Sequence, residues 1–256
     1  MDASQTVRPI FLYFCKKRQF MDAELWKQSL QEVAKPEKKE ILSSFFKTGK
    51  GEYGEGDIFI GVNVPDNRAV ARKFASADYT VIKEMLSSEV HEHRLSALLS
   101  LVIRYKKART GEEKGQIRDF HLQHTQHINN WDLVDLSAEY IVGAECLRTN
   151  DYSVLFRLAE SSDLWEQRIA IVSNLTPVRA GRFDTAIKLV ELLLHHPHDL
   201  IRKANGWILR EIGKKDESAL LAFLDKYAAA MPRTTLRYAI ERLPQPVRKK
   251  YLKRQQ

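Results

Sequence analysis

Apolar residues recur at helical spacing along almost the whole chain. In the stretches 95–103, 169–175 and 187–194 they follow the i, i+3, i+4 pattern that places them on one face of a helix. No convincing series of alternating strand residues interrupts this pattern. The sequence therefore predicts an all-α protein whose helices, of roughly 10–18 residues each, follow one another through short joins.

Acidic residues and prolines mark the expected helix starts, because anionic side chains suit the positive end of a helix dipole and proline suits the first turn. These positions are Asp22, Pro36 with Glu37, Pro65 with Asp66, Asp78, Asp151, Asp163, Asp184, Asp199 and Asp216.

A weak internal repeat further restricts the architecture. Three segments of similar composition each lead to an arginine and then to an apolar run, and the arginines are Arg94, Arg168 and Arg202. Their separations, about twice 37 and once 34 positions, suit paired-helix repeats of the HEAT, armadillo or tetratricopeptide kind. We therefore expect an α-solenoid of antiparallel helix pairs, resembling HEAT repeats, with a concave basic groove. The alternative is a generic helical bundle.

Only residues 47–64 break the helical pattern, because they contain five glycines. These glycines follow no predicted strand and match no phosphate-loop spacing, which argues against nucleotide binding. We predict a long irregular join there, with a short extended piece at residues 58–60. No low-complexity linker occurs, so we interpret residues 1–256 as a single domain.

Composition sets broad limits on partners and compartment. The net charge of +8 and a pI near 9.4 favour an anionic partner, although many ordinary proteins carry a similar excess. No segment approaches the ~20 apolar residues that span a membrane. Cys15 and Cys146 form neither a disulfide framework nor a CxxC pair, and the apolar run 10–14 is too short for a signal peptide. We expect a cytoplasmic protein, associated with the nucleoid when bound to DNA.

The histidines fall into three groups that invite a metal hypothesis. They are His91 and His93; His121, His124 and His127; and His195, His196 and His198. None comes with an HExxH motif or a matching set of cysteines or carboxylates. We interpret them as solvated histidines near helix ends, and we predict no metal and no cofactor.

The segment Trp131–Asp135 is the strongest candidate site. On a helix, Trp131 and Asp135 lie one turn apart on the same face, which places an aromatic ring beside a carboxylate. Asp132 lies near the helix start, where capping accounts for it. Asp135 lies a full turn further on, and it is either catalytic or a solvated carboxylate on the polar face.

Two further segments combine tryptophan with charge. Arg168, close to Trp165, can reach a phosphate with bidentate geometry or can tie one repeat to the next. Trp207 follows Gly206 in an apolar helix, where it belongs to the core or forms a platform for a ligand. The basic tail 248–254 either contacts phosphates or is a solvated helix end.

Taken together, these segments resemble the AlkD-type DNA alkylation-repair glycosylases, a family built from HEAT-like repeats. Residues 59–68 look like the family's FLGI…P..R segment, and Trp131–Asp135 looks like its WDxVD core. Residues 164–170 look like its W-x-x-R-A block with one residue of slack, and residues 203–211 look like its KAIGWxLRE block. The four blocks occur in order over residues 59–211.

The resemblance implies specific roles for four residues. Asp135 corresponds to the carboxylate near the sugar C1′, where it stabilises oxocarbenium charge and orients the attacking water. Trp131 and Trp207 correspond to indoles that pack against the damaged nucleotide, and Arg168 corresponds to an arginine that contacts the DNA backbone. Phe45 or Phe46 takes an aromatic position that is tyrosine elsewhere in the family.

The implied function is that of a monofunctional DNA glycosylase in base-excision repair. It hydrolyses the N-glycosidic bond of cationic N3- or N7-alkylated purines in double-stranded DNA, and it acts as a monomer without a lysine nucleophile. The alternatives are a non-catalytic HEAT-repeat protein that binds damaged or branched DNA, and a protein-binding solenoid.

Overall fold

A computed structural model describes residues 21–253, in which short turns join successive helices. The predicted all-α class is confirmed, and the β-type pairing among the described residues is one isolated bridge between Ile58 and Val90. The helices are α1 (Ala23–Gln31), α2 (Lys39–Phe45), α3 (Val64–Lys73), α4 (Tyr79–Leu86), α5 (His91–Lys107), α6 (Gly111–Leu122), α7 (Trp131–Asp135), α8 (Ala144–Thr149), α9 (Ser153–Ala159), α10 (Leu164–Val172), α11 (Leu175–Arg179), α12 (Asp184–Leu192), α13 (Asp199–Lys215), α14 (Glu217–Tyr227), α15 (Arg233–Ala239) and α16 (Gln245–Lys253). Single turns of 3₁₀-helix (Pro36–Lys38, Thr125–His127) and a π-helix (Glu139–Gly143) complete them.

The predicted helix starts coincide with helix N-termini. Asp22, Asp163 and Asp216 occupy N-cap positions, and their carboxylates accept backbone N–H groups of the first turns of α1, α10 and α14. Asp78 precedes α4, and Pro65 lies in the first turn of α3. Local capping chemistry therefore determines where these helices begin.

The expected helix length of 10–18 residues is wrong for several elements. The segment from Trp131 to Thr149 is divided into α7, the π-helix and α8, and α7 has only 5 residues. At the end of α7 the Ser137 hydroxyl donates to the Leu133 carbonyl, a local bond that competes with the helix ladder. The π-helix approaches the next repeat closely, since a Cβ on Gly143 would lie 2.0 Å from the Ser173 carbonyl oxygen.

One row of helices runs through the molecule and positions the candidate site. Helix α5 packs on α7 and the π-helix, α7 packs on α10, α10 on α13, and α13 on α15. Helices α4, α9 and α14 cover this row from outside, against α5, α10 and α13 respectively. Apolar side chains of successive helices form one continuous core cluster. The arrangement is that of an α-solenoid, as the sequence predicted.

The internal repeat has a structural basis, but its register differs by one residue from the prediction. In each case a long side chain near the start of an inner-row helix donates to a carbonyl six positions earlier, which closes the preceding turn. The bonds are Arg94 Nη1 to Ser88 O (2.8 Å), Gln167 Nε2 to Ser161 O (2.8 Å) and Arg202 Nε to His196 O (2.9 Å). Gln167, not Arg168, is therefore the equivalent of Arg94 and Arg202, because any long side chain with an N–H donor closes the turn.

No helix among residues 21–253 has both the length and the apolar character needed to cross a membrane. The thiol of Cys146 is buried, and burial raises its pKa to about 12. Cys15, the apolar run 10–14 and the last residue of the basic tail, Arg254, lie outside the described residues.

Candidate functional site

The inner row lines a cavity of about 480 Å³ that contains all four sequence-predicted site residues. Trp131 and Asp135 come from α7, Arg168 from α10 and Trp207 from α13. The other lining residues are Phe45, Tyr53, Leu200, Lys203, Ala204, Arg210 and Tyr238. The cavity is therefore bounded by aromatic rings and contains one carboxylate.

Asp135 is the last residue of α7, and its side chain is only 16% exposed. Arg168 holds it in a bidentate pair, with Nε 3.0 Å from Oδ1 and Nη2 2.8 Å from Oδ2. Burial raises the pKa of Asp135, and the charge and hydrogen bonds of Arg168 oppose that rise. The interpretation of Asp135 as a solvated surface carboxylate is therefore wrong.

Arg168 ties three helices of the inner row together. Its side chain is 6% exposed, and its remaining terminal nitrogen, Nη1, donates to the Leu200 carbonyl at 2.6 Å. The guanidinium thus links α10 to Asp135 on α7 and to α13. The sequence left two interpretations of Arg168 open. The structure shows that it links one repeat to the next, and its contact with a DNA phosphate stays a prediction.

Trp131 and Trp207 are partly buried and form two walls of the cavity. Trp131 stacks on Phe46 with a centroid distance of 5.1 Å and meets Phe45 edge-on at 5.7 Å. Trp207 packs against the core and also faces the cavity, so both readings of this residue hold. Phe45 and Phe46 have different roles, since Phe45 lines the cavity while Phe46 is buried beneath Trp131.

Two cations of the cavity, which sequence reasoning did not select, already have carboxylate partners. Lys203 Nζ lies 2.8 Å from Asp199 Oδ2, and Arg210 forms an ion pair with Glu241. The hydrogen bond between Lys203 and Asp199 raises the pKa of Lys203, which keeps this side chain protonated. Lys203 precedes Trp207 by four residues on α13, so helical spacing was the signal that could have identified it.

A buried charge network adjoins Phe46, the ring on which Trp131 stacks. The ring of His91 is 1% exposed and bridges two carboxylates, with Nδ1 2.9 Å from Asp57 Oδ2 and Nε2 2.9 Å from Asp132 Oδ2. Arg94 Nη2 contacts the other oxygen of Asp57 at 2.5 Å. Burial alone lowers the pKa of His91, but the two carboxylates outweigh it and raise the value to about 9. Asp132 is therefore more than a helix-start residue, and His91 is not solvated.

The same network fixes the glycine-rich join against α5. The Glu92 carboxylate accepts the backbone N–H groups of Ile60, Gly61 and Val62 at 2.8–3.1 Å. Gly61 has φ +93°, a conformation that favours glycine. The join, which includes Tyr53, is held at the mouth of the cavity by these contacts.

A family model described as DNA alkylation repair enzyme matches residues 26–243. The chain belongs to this family. No curated protein matches the sequence. Among solved structures, a predicted DNA alkylation repair enzyme from Enterococcus faecalis superimposes with a TM-score of 0.66 and 17% identity over 83% of this chain and 97% of that chain. At this identity the match shows the fold alone.

Membership in the DNA alkylation repair family implies an enzyme of DNA alkylation repair and a DNA substrate. The fold of this repair enzyme places Trp131 and Asp135 of α7 and Trp207 of α13 around one cavity. The histidines at positions 121, 124 and 127 do not line this cavity.

The prediction of solvated histidines is wrong for His121 and His124. His121 is fully buried, its Nε2 lies 3.0 Å from the Ser137 hydroxyl, and burial lowers its pKa to about 4. His124 Nδ1 bonds to the Phe120 carbonyl. His198 caps the first turn of α13, since its Nδ1 accepts the Leu200 N–H. Among residues 21–253 no group of three or more ligand side chains is arranged to hold a metal ion.

Proposed function

We propose that this DNA alkylation repair enzyme is a monofunctional glycosylase acting on cationic N3- or N7-alkylated purines in duplex DNA. The observation that carries the proposal is the position of Asp135. It is one carboxylate, fixed by Arg168, in a cavity walled by Trp131 and Trp207. Membership in the DNA alkylation repair family supports a DNA substrate, and the lining of the cavity supports a reaction that uses one carboxylate.

The chemistry of the substrate matches a site with one acid. An alkylated purine carries a positive charge and leaves as a neutral base, so it needs little protonation by a general acid. The sugar then becomes electron-poor, as in the oxocarbenium-like transition state of glycoside hydrolysis. A preorganised carboxylate stabilises that developing charge more than it stabilises the ground state.

Arg168 positions the Asp135 carboxylate and leaves it able to accept further hydrogen bonds. An ionised carboxylate has about four acceptor sites, and the bidentate pair occupies one on each oxygen of Asp135. The other lone pairs are available to accept from the attacking water. In this proposal Asp135 stabilises the sugar cation and orients the water, while Arg168 is a positioning residue.

The indoles complete the site. The faces of Trp131 and Trp207 are electron-rich and attract a cation, and their bulk keeps bulk water away from the sugar. Lys203 is held by Asp199 as an ammonium ion, which suits a phosphate contact and leaves no free amine to attack C1′. The enzyme therefore releases the base by hydrolysis, without a covalent lysine intermediate.

The test is base release from methylated duplex DNA by the wild type and by Asp135→Asn. We expect the wild type to release 7-methylguanine or 3-methyladenine, and the variant to do so about 10²-fold more slowly while its DNA affinity survives. Asp119→Asn is the matched control, because Asp119 is an exposed carboxylate on α6 paired with Arg118. Full activity of Asp135→Asn would refute the assigned role.

The second candidate is a non-catalytic protein that binds damaged DNA. It is favoured by the same ion pair, because a carboxylate bonded through both oxygens also serves as a simple structural tie between α7 and α10. Tight, salt-sensitive binding of alkylated DNA without any base release would establish this function. Trapping of a protein–DNA adduct by borohydride would contradict both candidates, since neither uses an amine nucleophile.

A further inference from the structure

A second cavity, of about 520 Å³, lies among the ends of α3, α4, α5 and α6. It is remote from the first one, because His91 at the start of α5 supports the Trp131 wall while Arg104 lies 13 positions further along the same helix. At 1.5 Å per residue this places the second cavity about 20 Å from the His91 end. Its size falls within the range of sites that hold small molecules.

The walls of this cavity carry an excess of positive charge. Four cationic side chains line it, and within residues 21–253 none of them has a carboxylate within ion-pair distance. They are Arg72, Arg104, Lys107 and Arg109. This differs from the first cavity, where Arg168, Lys203 and Arg210 are each paired with an acid.

The one carboxylate in the wall already has a function in the fold. Glu113 accepts the backbone N–H groups of Arg109 and Thr110 at 2.8 and 3.1 Å, and so completes the capping box of α6. The C-terminal ends of α3 and α5 add about half a negative charge each. The N-terminal ends of α4 and α6, which also meet the cavity, add about half a positive charge each, so the four helix ends cancel. Four cations and one carboxylate therefore leave about three positive charges without compensation.

The Arg104 guanidinium shows most clearly that the wall of this cavity lacks negative charge. Its Nη2 donates to the Ala77 carbonyl at 2.9 Å, and its Cζ lies 4.7 Å from the centre of the Tyr79 ring. Its Nη1 is buried and has no hydrogen-bond partner among the described residues. A carbonyl and a ring face therefore stabilise this charge, and an anion in the cavity would add the counter-charge that is lacking.

We propose that this cavity binds a phosphate monoester of nucleotide size. Such a group carries about −1.5 to −2 charges at pH 7, which offsets most of the uncompensated charge of the wall. The exposed side chains of Arg72, Lys107 and Arg109 supply N–H donors suited to phosphate oxygens. The partly exposed residues Ala75, Tyr79 and Ala108 supply a small apolar surface for the organic part.

The chain offers a matched pair of lysines for the test. Lys107 lines the cavity, whereas its exposed neighbour Lys106 lies over the Tyr140 ring, 4.4 Å from its centre. The experiment is calorimetric titration of the full chain with AMP, with adenosine as the uncharged probe, in a phosphate-free buffer. We expect AMP to bind with a Kd of about 1 mM or tighter and adenosine not to bind.

Lys107→Gln should weaken AMP binding about tenfold, and Arg72→Gln should do the same, because each removes one charge-assisted hydrogen bond. Lys106→Gln, and Lys203→Gln in the first cavity, should leave AMP binding unchanged. Both cavity positions are exposed, so these variants should keep the wild-type fold. Absence of AMP binding, equal binding in Lys107→Gln and Lys106→Gln, or loss of binding in Lys203→Gln would each overturn the proposal.

Discussion

Arg168 on α10 donates hydrogen bonds to both carboxylate oxygens of Asp135 on α7, with N···O distances of 3.0 and 2.8 Å. The pair sits between two neighbouring helices of the inner row, so the packing of the solenoid sets the position of the carboxylate. The same packing affects the ionisation of Asp135, because burial favours the neutral acid and Arg168 favours the anion. Position and charge of the proposed catalytic group thus depend on one guanidinium.

The first prediction concerns the pH dependence of base release in Arg168→Gln. Without the guanidinium, burial acts alone and raises the pKa of Asp135 further, so the reactive anion forms only at higher pH. The acidic limb of the pH–rate profile should therefore move to higher pH by about one unit or more. Arg118→Gln, which breaks the exposed pair with Asp119, should leave the profile unchanged. An unchanged acidic limb in Arg168→Gln would separate Asp135 from the observed ionisation.

The second prediction concerns the indole of Trp207. If its ring face stabilises a developing sugar cation, Trp207→Phe should retain more activity than Trp207→Leu, because phenylalanine keeps an aromatic face and leucine keeps only apolar bulk. A cation–π interaction of about 1–2 kcal/mol corresponds to a rate difference of roughly 5- to 30-fold. The measurement is single-turnover base release. Equal rates for the two variants would show that Trp207 acts through packing alone.

Local sequence signals predicted the fold class and most helix starts. Helical spacing of apolar residues and acidic N-caps act within one or two turns, so residues such as Asp22, Asp163 and Asp216 could be assigned without tertiary information. Trp131 and Asp135 were also within reach, because one helical turn brings them together. The helix lengths could not be predicted in the same way, since the π-helix lies where Gly143 packs closely on Ser173, a contact 30 positions away in the sequence.

The partners of the site residues depended on contacts that are distant in sequence. Asp135 and Arg168 are 33 positions apart, and His91 reaches Asp132 over 41 positions and Asp57 over 34. No local pattern reports such pairs. His91 therefore had the same appearance in the sequence as a surface histidine, although it is the most heavily engaged imidazole behind the cavity.

The third prediction concerns the stability of the fold at alkaline pH. The pKa of His91 rises from 6.5 to about 9 on folding, so the folded state binds its proton more tightly than the unfolded chain does. This stabilisation is complete below pH 6.5 and is lost as the pH rises through 9. The difference corresponds to about 3 kcal/mol. Urea unfolding at pH 6.5 and 8.5 should show a marked loss of stability in the wild type.

His91→Gln should flatten this dependence, because glutamine can bond to one carboxylate but does not titrate. The matched control is His121→Gln. Burial lowers the pKa of His121 to about 4, so its neutral form is favoured in the fold and its contribution is lost only as the pH falls below 6.5. The control should keep the alkaline loss of the wild type. An alkaline loss of equal size in His91→Gln would contradict the assignment.

The fourth prediction concerns the glycine that precedes Trp207. Gly206 allows α13 to approach α15, since a Cβ there would lie 2.4 Å from Tyr238 Cβ and 2.6 Å from the Thr235 carbonyl oxygen. Gly206→Ala must push the two helices apart and should lower the free energy of unfolding by about 1–3 kcal/mol. Because Tyr238 and Trp207 both line the cavity, base release should also fall.

Gly115→Ala on α6 makes the same chemical change where space allows it. The nearest atom to its added Cβ is Glu145 Oε1 at 3.9 Å, and alanine is the better helix former, so this variant should gain about 0.5–1 kcal/mol. Chemical denaturation of both variants gives the comparison. A loss of stability at position 206 with unchanged base release would mean that the wall formed by Trp207 and Tyr238 can shift without affecting Asp135. Equal stability of the two variants would contradict the close packing of α13 on α15.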